Sequence, residues 1–258
     1  MEEATNTLGL SLTERQATQL IEFVELLARW NRTYNLTAVR DPAAMLTHHV
    51  LDCLAAVPPL RREGFENARV LDVGSGGGLP GVVWAVMHPD MTVTCVDSVG
   101  KKAAFIQHAA GALGLPRLQG RHIRVDAISM AASISEAIAV AANSKRLPQG
   151  TRSVRDERFD LVTSRAFASL ADFVALTGAV LAEGGRWLAM KGKLPVDEIA
   201  ALPADVEMFY VEPLLVPGLA AERCLVWIRA ADRTLNTVLS SEESVRSHSV
   251  LRPGPGTS

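Results

Sequence analysis

The sequence predicts an α/β fold of Rossmann-like type, a mostly parallel sheet with helices on both faces and an antiparallel hairpin at one edge. Short β-branched runs alternate with helical stretches from residue 69 onward, as in doubly wound parallel sheets. A glycine-dense turn at 74–81 follows the first run, at the place where such sheets bind nucleotides. The last two strand-like runs, 206–216 and 223–230, have no helix between them, which indicates the hairpin.

The strands of the predicted parallel part come from five short apolar runs. They are RVLDV (69–73), TVTCVD (92–97), HIRVD (122–126), FDLVTS (159–164) and RWLAMK (186–191). The helices between them are predicted in PGVVWAVM, GKKAAFIQHAAGAL and LADFVALTGAVL. The connection 127–158 is Ala/Ser-rich and then basic, and it is long for a link between two core strands. We therefore interpret it as an insertion.

The first part of the chain is predicted to be helical. The stretch SLTE has the spacing of a capping box, in which Ser11 and Glu14 would begin the first long helix. Asp41-Pro42 would begin a second helix, and Pro58-Pro59 would end it. We expect three parts: a helical segment, 1–60, that packs on the core, a main domain, 61–231, that carries the insertion, and a polar tail, 232–258, that is disordered.

Composition excludes several classes of protein. The formal net charge is −2, so nucleic-acid binding would have to rely on local basic patches. The three cysteines, Cys53, Cys95 and Cys224, are far apart and without CxxC spacing, which argues against a structural zinc site or a disulfide framework. The N-terminus lacks the features of a signal peptide, and no run reaches the length of a membrane span. We expect a cytoplasmic monomer with no metal and no membrane partner.

The glycine turn admits two ligands. Gly76, Gly78 and Gly81 fit the G-x-G-x-x-G spacing of a dinucleotide site, but Pro80 removes an amide where a pyrophosphate needs donors. The alternative is G-x-G-x-G over 74–78, preceded by an acid at Asp72, which is typical of S-adenosyl-L-methionine sites. There the glycines allow close approach of a nucleoside. This interpretation is favoured, and the remaining alternative is a tight turn with no ligand.

Acidic residues at the next strand ends fit a nucleoside. Asp97 ends the second predicted strand, where a carboxylate accepts hydrogen bonds from ribose hydroxyls in either cofactor. Val125-Asp126 would end the third strand beside the adenine. Arg165 follows the fourth strand and would face the same cleft, where it could bind a phosphate, the cofactor carboxylate or guanine O6. Its other interpretation is an ion pair with an acid across the strand ends.

Five motifs occur in order and together carry a family resemblance. They are WNRTYNLTAVRDPAAMLTHHVLDCL (30–54), LDVGSGGGLPG (71–81), VDSVGKKAAF (96–105), SRAFASL (164–170) and MKG (190–192). From about residue 11 to 231 the chain resembles the bacterial small-subunit ribosomal RNA guanine-N7 methyltransferases, also called the glucose-inhibited division protein B family. It departs from the family in the longer 127–158 link, in the tail past 231, and at Val125-Asp126, where relatives often carry an apolar residue and Glu.

The resemblance implies a class I methyltransferase fold and an enzyme that transfers a methyl group from S-adenosyl-L-methionine to N7 of a guanine. The substrate would lie in a decoding-region loop of 16S ribosomal RNA, in the small subunit or its assembly particle. The candidate cofactor-binding residues are Asp72, Gly74, Ser75, Gly76, Gly78, Leu79, Asp97, Ser98, Val125, Asp126 and Arg165. Arg165 is also the candidate catalytic residue, for substrate positioning. The candidate RNA-binding residues are Lys101, Lys102, Lys191 and Arg223.

The chemistry fits the residues that the sequence offers. Guanine N7 has a free lone pair and no proton, so the reaction needs alignment rather than a general base. The sequence has no [DN]PPY segment for amine methylation, and Cys95 lies inside a predicted strand. These absences favour a ring nitrogen but leave a ribose oxygen open. Two alternative functions remain, an NAD-dependent oxidoreductase and a noncatalytic RNA-binding assembly factor.

A second polar group precedes the sheet. Asn31, Tyr34, Asn35 and Thr37 form a polar patch in a predicted connector. His48, His49 and Asp52 follow on the next helix, where His48 and Asp52 are one turn apart and could pair. No third ligand is spaced to join them around a metal. We expect a structural network that ties the helical segment to the sheet.

Overall fold

The structure is a computed structural model that describes residues 1–124, 158–165 and 167–231. Three sequence predictions therefore lie outside the described residues. They are the adenine contact at Val125-Asp126, the insertion 127–158 except for Arg158, and the tail 232–258.

The core is a seven-stranded sheet in the order β3-β2-β1-β4-β5-β7-β6. Its strands are β1 Arg69–Val73, β2 Thr92–Asp97, β3 Leu118–His122, β4 Phe159–Ser164, β5 Leu181–Lys191, β6 Val206–Pro213 and β7 Cys224–Ala230. Strands β1 to β5 pair in parallel, whereas β7 runs antiparallel to both β5 and β6. The predicted fold class, including the edge hairpin, is confirmed.

Two strands differ in extent from their predictions. The third strand was expected at 122–126, but it begins at Leu118 and ends at His122. Its sequence, LQGRH, has no β-branched residue, so pairing with β2 and contact with a helix determine the strand rather than propensity. A Cβ at Gly120 would lie 2.5 Å from the carbonyl oxygen of Ala103. Strand β5 begins five residues before the predicted start at 186.

The described helices cover both faces of the sheet. They are α1 Glu2–Thr7, α2 Glu14–Tyr34, α3 Pro42–Met45, α4 Asp52–Leu54, α5 Val57–Arg62, α6 Gly81–Met87, α7 Gly100–Ala112, α8 Leu170–Thr177 and α9 Val196–Ala200. A π-helical turn, Leu46–Leu51, joins α3 to α4, and a 3-10 turn, Gly178–Val180, follows α8. None of the described helices is long and apolar enough to cross a membrane.

The predicted ends of the early helices need two corrections. The capping box of α2 is formed by Thr13 and Gln16, not by Ser11 and Glu14: the Gln16 amide donates to Thr13 Oγ1, and Gln16 Oε1 accepts from the Thr13 amide. Pro58-Pro59 lies in the first turn of α5, where missing amide donors cost nothing, so the pair does not end a helix. The Asp41 cap of α3 is confirmed by its hydrogen bond from the Ala44 amide.

Helix α2 packs across the glycine turn and on α7. A Cβ at Gly77 would lie 2.8 Å from Leu27 Cδ1, so α2 approaches the turn as closely as a glycine permits. Trp30 packs on Phe105, with ring centroids 5.5 Å apart. The Gln19 side chain donates to the Leu113 carbonyl at 2.7 Å. The helical segment and this face of the sheet thus share one hydrophobic core, which fixes the segment on the sheet.

Candidate active site

The candidate site lies where parallel strands end at one edge of the sheet. Strand order reverses between β1 and β4, and open α/β sheets bind ligands in the crevice beside such a reversal. Gly74 follows β1, Asp97 ends β2, Arg165 follows β4 and Lys191 ends β5. The fold therefore brings together four candidates that are up to 117 residues apart in the chain.

The glycines of the turn serve two different purposes. Gly74 and Gly76 adopt positive φ, +68° and +58°, and a Cβ at either would have no atom within 4 Å. They form an open cradle that a side chain would fill. A Cβ at Gly81, in contrast, would lie 2.4 Å from Cys95 Sγ, so this glycine allows α6 to pack closely on the sheet. Gly78 is likewise crowded, by Val82.

Asp97 is fixed by the backbone at the edge of this cradle. Its Oδ2 accepts from the Gly76 amide at 3.0 Å, and its Oδ1 accepts from the Val99 amide at 2.9 Å. Lys102 Nζ lies 3.7 Å from Oδ2. A carboxylate offers about four acceptor positions, so lone pairs remain for hydroxyl donors. The side chain is thus preorganised to accept from a ribose.

A cavity of about 110 Å³ adjoins the cradle. It is lined by Val73, Gly74, Val96, Asp97, Ser98, Ile123 and Phe167. Gly74, Asp97 and Ser98 were candidates from the sequence, whereas Ile123 and Phe167 were missed as lining residues. Phe167 lies inside the SRAFASL motif, which was the available signal. Ser75 and Leu79 are buried within the turn, and Ser75 Oγ donates to the Val96 carbonyl, so they shape the turn from below.

Asp72 lies under the turn and is completely buried. Its Oδ2 accepts from the Gly81 amide at 2.9 Å, while its Oδ1 has no hydrogen-bond partner among the described residues. Burial raises the pKa of the Asp72 carboxyl to about 7, against the opposing effects of the Gly81 amide and Arg165. Asp72 therefore supports the turn from inside, with one oxygen unsatisfied. Burial also raises the pKa of the neighbouring Cys95 thiol well above its usual range.

Replacing Asp72 by asparagine is expected to increase stability relative to the wild type as pH rises from about 4 to about 7. The folded carboxyl keeps its proton up to about pH 7, whereas the unfolded one loses it near 3.8, so the wild type loses stability through this window. The difference should grow by at most about 1.4 kcal/mol per pH unit and level off above pH 7. Urea unfolding of both proteins at each pH measures the difference in free energy of unfolding. His49 is present in both proteins, so the effect of its titration cancels in this difference. A difference that does not vary with pH would contradict the raised pKa.

Arg165 reaches from the end of β4 to the helical segment. Its Nη1 donates to the His48 carbonyl at 3.2 Å and to Asp52 Oδ2 at 3.3 Å, and lies 3.4 Å from His49 Nδ1. Asp52 Oδ1 also accepts from Arg223 Nε at 2.8 Å. One buried carboxylate therefore holds two arginines. The His48–Asp52 pair that the helical spacing allows is not formed, because the arginines occupy both oxygens of Asp52 and the His48 side chain is exposed.

A neutral histidine connects this cluster to the connector after α2. Burial, assisted by Arg165, lowers the pKa of His49 to about 4. Nδ1 faces the Arg165 donor, so we assign the proton to Nε2, which donates to Thr37 Oγ1 at 2.7 Å. Asn31 Oδ1 accepts from the Thr37 amide at 2.9 Å. The network expected between the helical segment and the sheet is present, and it holds Arg165 in place.

A second cavity, of about 340 Å³, opens beside the cluster. It is lined by Val39, His48, His49, Asp52, Arg165, Met190, Lys191, Gly192 and Arg223. Arg165 lines this cavity and Phe167 lines the first, so one short segment contributes to both. The charged lining is Arg165, Arg223 and Lys191 against the single Asp52, which leaves a positive surface for an anionic or electron-rich ligand.

The candidate RNA-binding lysines have different surroundings. Lys101 Nζ lies 5.2 Å from the centroid of the exposed Tyr34 ring. Lys102 is turned toward Asp97. Lys191 Nζ contacts both oxygens of Glu198, at 3.0 and 2.7 Å. Among the residues that the structure describes, no group of three or more His, Cys, Asp or Glu side chains is placed to hold a metal ion.

The sheet order, with antiparallel β7 inserted between β5 and β6, and the glycine cradle beside Asp97 define a Rossmann-like methyltransferase of the S-adenosylmethionine-dependent class. The sequence model of the GidB family, rRNA small subunit methyltransferase G, matches residues 16–226. The chain belongs to this family.

Relatives and solved structures agree with this assignment. Ribosomal RNA small subunit methyltransferase G of Acidovorax sp. (strain JS42) is 54% identical over 238 residues, 89% of this chain and 93% of the relative. The protein of the same name from Polaromonas sp. (strain JS666 / ATCC BAA-500) is 52% identical over 227 residues, 86% of this chain and 88% of the relative. The crystal structure of MtNAS in complex with MTA and tNA has a TM-score of 0.51 at 11% identity, covering 83% of this chain and 71% of that one, and supports the fold alone.

Proposed function

We propose that the protein transfers the methyl group of S-adenosyl-L-methionine to N7 of a guanine in 16S ribosomal RNA. The observation that carries this proposal is a pair of cavities at the strand ends, one bounded by the glycine cradle and Asp97 and the other by Arg165 and Arg223. A donor and an acceptor bound in them would meet beside the segment that carries Arg165 and Phe167. Family membership supports the choice of ribosomal RNA as the acceptor.

The residues at the first cavity fit the methyl donor. When bound, S-adenosyl-L-methionine supplies an electrophilic methyl group on a sulfonium. Asp97 would accept the ribose hydroxyls, and Gly74 and Gly76 would allow the backbone to approach the nucleoside and its amino-acid part. Ser98 and Ile123 line the side on which an adenine would lie. The turn needs no phosphate-binding role, which agrees with the proline at its end.

The residues at the second cavity fit a purine that gains positive charge. Guanine N7 needs no general base, and a guanidinium group offers donors but no acceptor, so positioning is the role open to Arg165. Its guanidinium can donate to guanine O6 or to a phosphate. Asp52 offsets one of the two arginine charges and so lowers the positive potential that would oppose charge developing on the base. Neutral His49 adds no charge.

The RNA would cross the face on which the second cavity opens. Arg223 is partly exposed there, and Lys101 lies over the exposed Tyr34 ring, a combination of cation and aromatic surface that suits phosphate and base. Lys102 and Lys191 already contact carboxylates of the protein. We therefore assign RNA contact to Lys101 and Arg223, and supporting roles to Lys102 and Lys191. The enzyme would act as a cytoplasmic monomer on the small subunit or its assembly particle.

The test is transfer of labelled methyl from S-adenosyl-L-methionine to small ribosomal subunits and to their naked RNA, followed by nucleoside analysis. The proposal predicts 7-methylguanosine in at least one substrate. Label in another nucleoside would overturn the N7 assignment. RNA binding without any methyl transfer at saturating donor would favour a noncatalytic assembly factor instead.

A further inference from the structure

We propose that the ion pair between Lys191 and Glu198 positions the chain from Phe167 to Leu170, and thereby holds the donor and RNA cavities in register. Lys191 is then a positioning residue of the methyltransferase. From the sequence alone, its basic character predicts RNA binding instead. This inference rests on the proposed function, because it assigns the two cavities to donor and RNA.

The contacts of the pair reach both ends of this short stretch. Lys191 Nζ lies 3.3 Å from the Phe167 carbonyl oxygen and donates to both carboxylate oxygens of Glu198. Glu198 Oε2 in turn accepts from the Leu170 amide at 2.9 Å. The end of β5 and the start of α9 thus hold the backbone at Phe167 and at Leu170 through a single pair of charges.

The donors of Lys191 are fully used by these contacts. An ammonium group has three N–H donors, and three acceptors surround Nζ, the Phe167 carbonyl and the two Glu198 oxygens. The side chain is only 14% exposed. A phosphate could bind Lys191 only by displacing one of these acceptors. The position of Lys191 on the wall of the second cavity therefore does not imply RNA contact.

The stretch that is held carries a wall of each cavity. Phe167 lines the donor cavity, and its ring packs on Phe173 with centroids 5.4 Å apart. Arg165 lies two residues before it and lines the RNA cavity. A shift of the backbone at Phe167 would therefore change both cavities at once. This coupling is what distinguishes a positioning role from a contact with RNA alone.

Helix α9 is held by this pair together with limited apolar packing. None of its five residues is buried and Val196 is 61% exposed, while the partly buried Ile199 packs against the same core cluster as Phe167. Neutralising one partner would leave a partly buried charge without its counter-charge, which is destabilising from either side. Changes at Lys191 and at Glu198 should therefore have effects in the same direction.

The test compares Lys191→Met and Glu198→Gln, and the double variant, in the full-length protein. The readouts are the Kd of S-adenosyl-L-methionine by calorimetry, and kcat and KM for small-subunit RNA. A positioning role predicts that each single variant raises the donor Kd about tenfold and lowers kcat, and that the double variant is no worse than either single. Lys191→Arg, which keeps the charge and donors, should recover most of the donor affinity.

Matched controls lie on the same loop and helix. Lys193→Met and Asp197→Asn change the same charges at exposed positions and should leave the donor Kd unchanged. Direct RNA contact predicts the opposite for Glu198→Gln, since releasing Lys191 would tighten RNA binding and leave the donor Kd as in the wild type. That result overturns the inference. Donor affinity also separates the two proposals, because it is measured whether or not the wild type methylates RNA.

Discussion

Replacing Arg165 by methionine is expected to lower kcat/KM for methyl transfer to RNA by about 10²- to 10³-fold, the usual cost of losing one preorganised donor in an active site. Arg165 is held by the His48 carbonyl, His49 and Asp52, so its guanidinium needs no reorganisation when RNA binds. Methionine retains much of the side-chain volume but none of the donors. The measurement is steady-state methyl transfer with labelled donor.

The control for this variant is Arg62→Met. Arg62, at the end of α5, also forms an arginine–carboxylate pair, with Glu212 of β6, and neither residue lines either candidate cavity. The Arg62→Met variant should therefore lose little methyltransferase activity. The kcat/KM of Arg165→Lys should lie between those of the wild type and Arg165→Met, because lysine keeps the positive charge but lacks the planar, two-pronged donor group of arginine. If Arg165→Met retained full activity on RNA, Arg165 would be only a structural partner of Asp52.

Replacing Asp97 by asparagine is expected to weaken S-adenosyl-L-methionine binding about 10²-fold. The carboxylate accepts from Gly76 and Val99 and, in the proposed complex, from the ribose hydroxyls. Charge-assisted hydrogen bonds contribute about 1.5–3 kcal/mol each, and an amide would turn a donor toward one of the backbone donors. Calorimetric titration with donor or with S-adenosylhomocysteine measures the effect.

Asp90→Asn supplies the matched control for Asp97→Asn. The Asp90→Asn substitution removes the same charge at an exposed site near Arg117, before β2. It should bind the donor as the wild type does. Equal donor affinity in the wild type and the Asp97→Asn variant would show that the nucleoside does not lie against this carboxylate.

The strands at the candidate cofactor site could be predicted from the sequence because the residues that mark them lie within or directly after each strand. RVLDV and FDLVTS are β-branched runs followed by a glycine and an arginine, and TVTCVD ends on an acid. The structure places all three at the predicted positions. The third strand was displaced because nothing local marks LQGRH. Its extended conformation depends on β2 beside it and on α7 above Gly120.

Side-chain partners were harder to predict than elements. The spacing of His48 and Asp52 allowed a pair one helical turn apart, yet the partners of Asp52 follow β4 and precede β7, 113 and 171 residues further along the chain. Lys191 was predicted to bind RNA because it is basic, but Glu198 forms an ion pair with it and neutralises its charge. Sequence alone cannot show such neutralisation, because it depends on which loops meet above the sheet.

The two candidate cavities are not the largest ones in the described part of the chain. A cleft of about 380 Å³ between α2 and the amino ends of β2 and β3 includes Arg15 and Arg117 and exceeds each of the two candidate cavities in volume. It lies at the edge of the sheet where parallel α/β folds do not bind their ligands. Volume therefore does not identify the donor site here, and chemistry at the strand ends does.

The most direct measurement is a crystal structure of the protein with S-adenosylhomocysteine. The proposed arrangement predicts ribose hydroxyls on Asp97, adenine beside Ser98 and Ile123, and the sulfur directed toward the cavity that contains Arg165. A nucleoside bound instead in the cleft of Arg15 and Arg117, or with its sulfur turned away from Arg165, would contradict it.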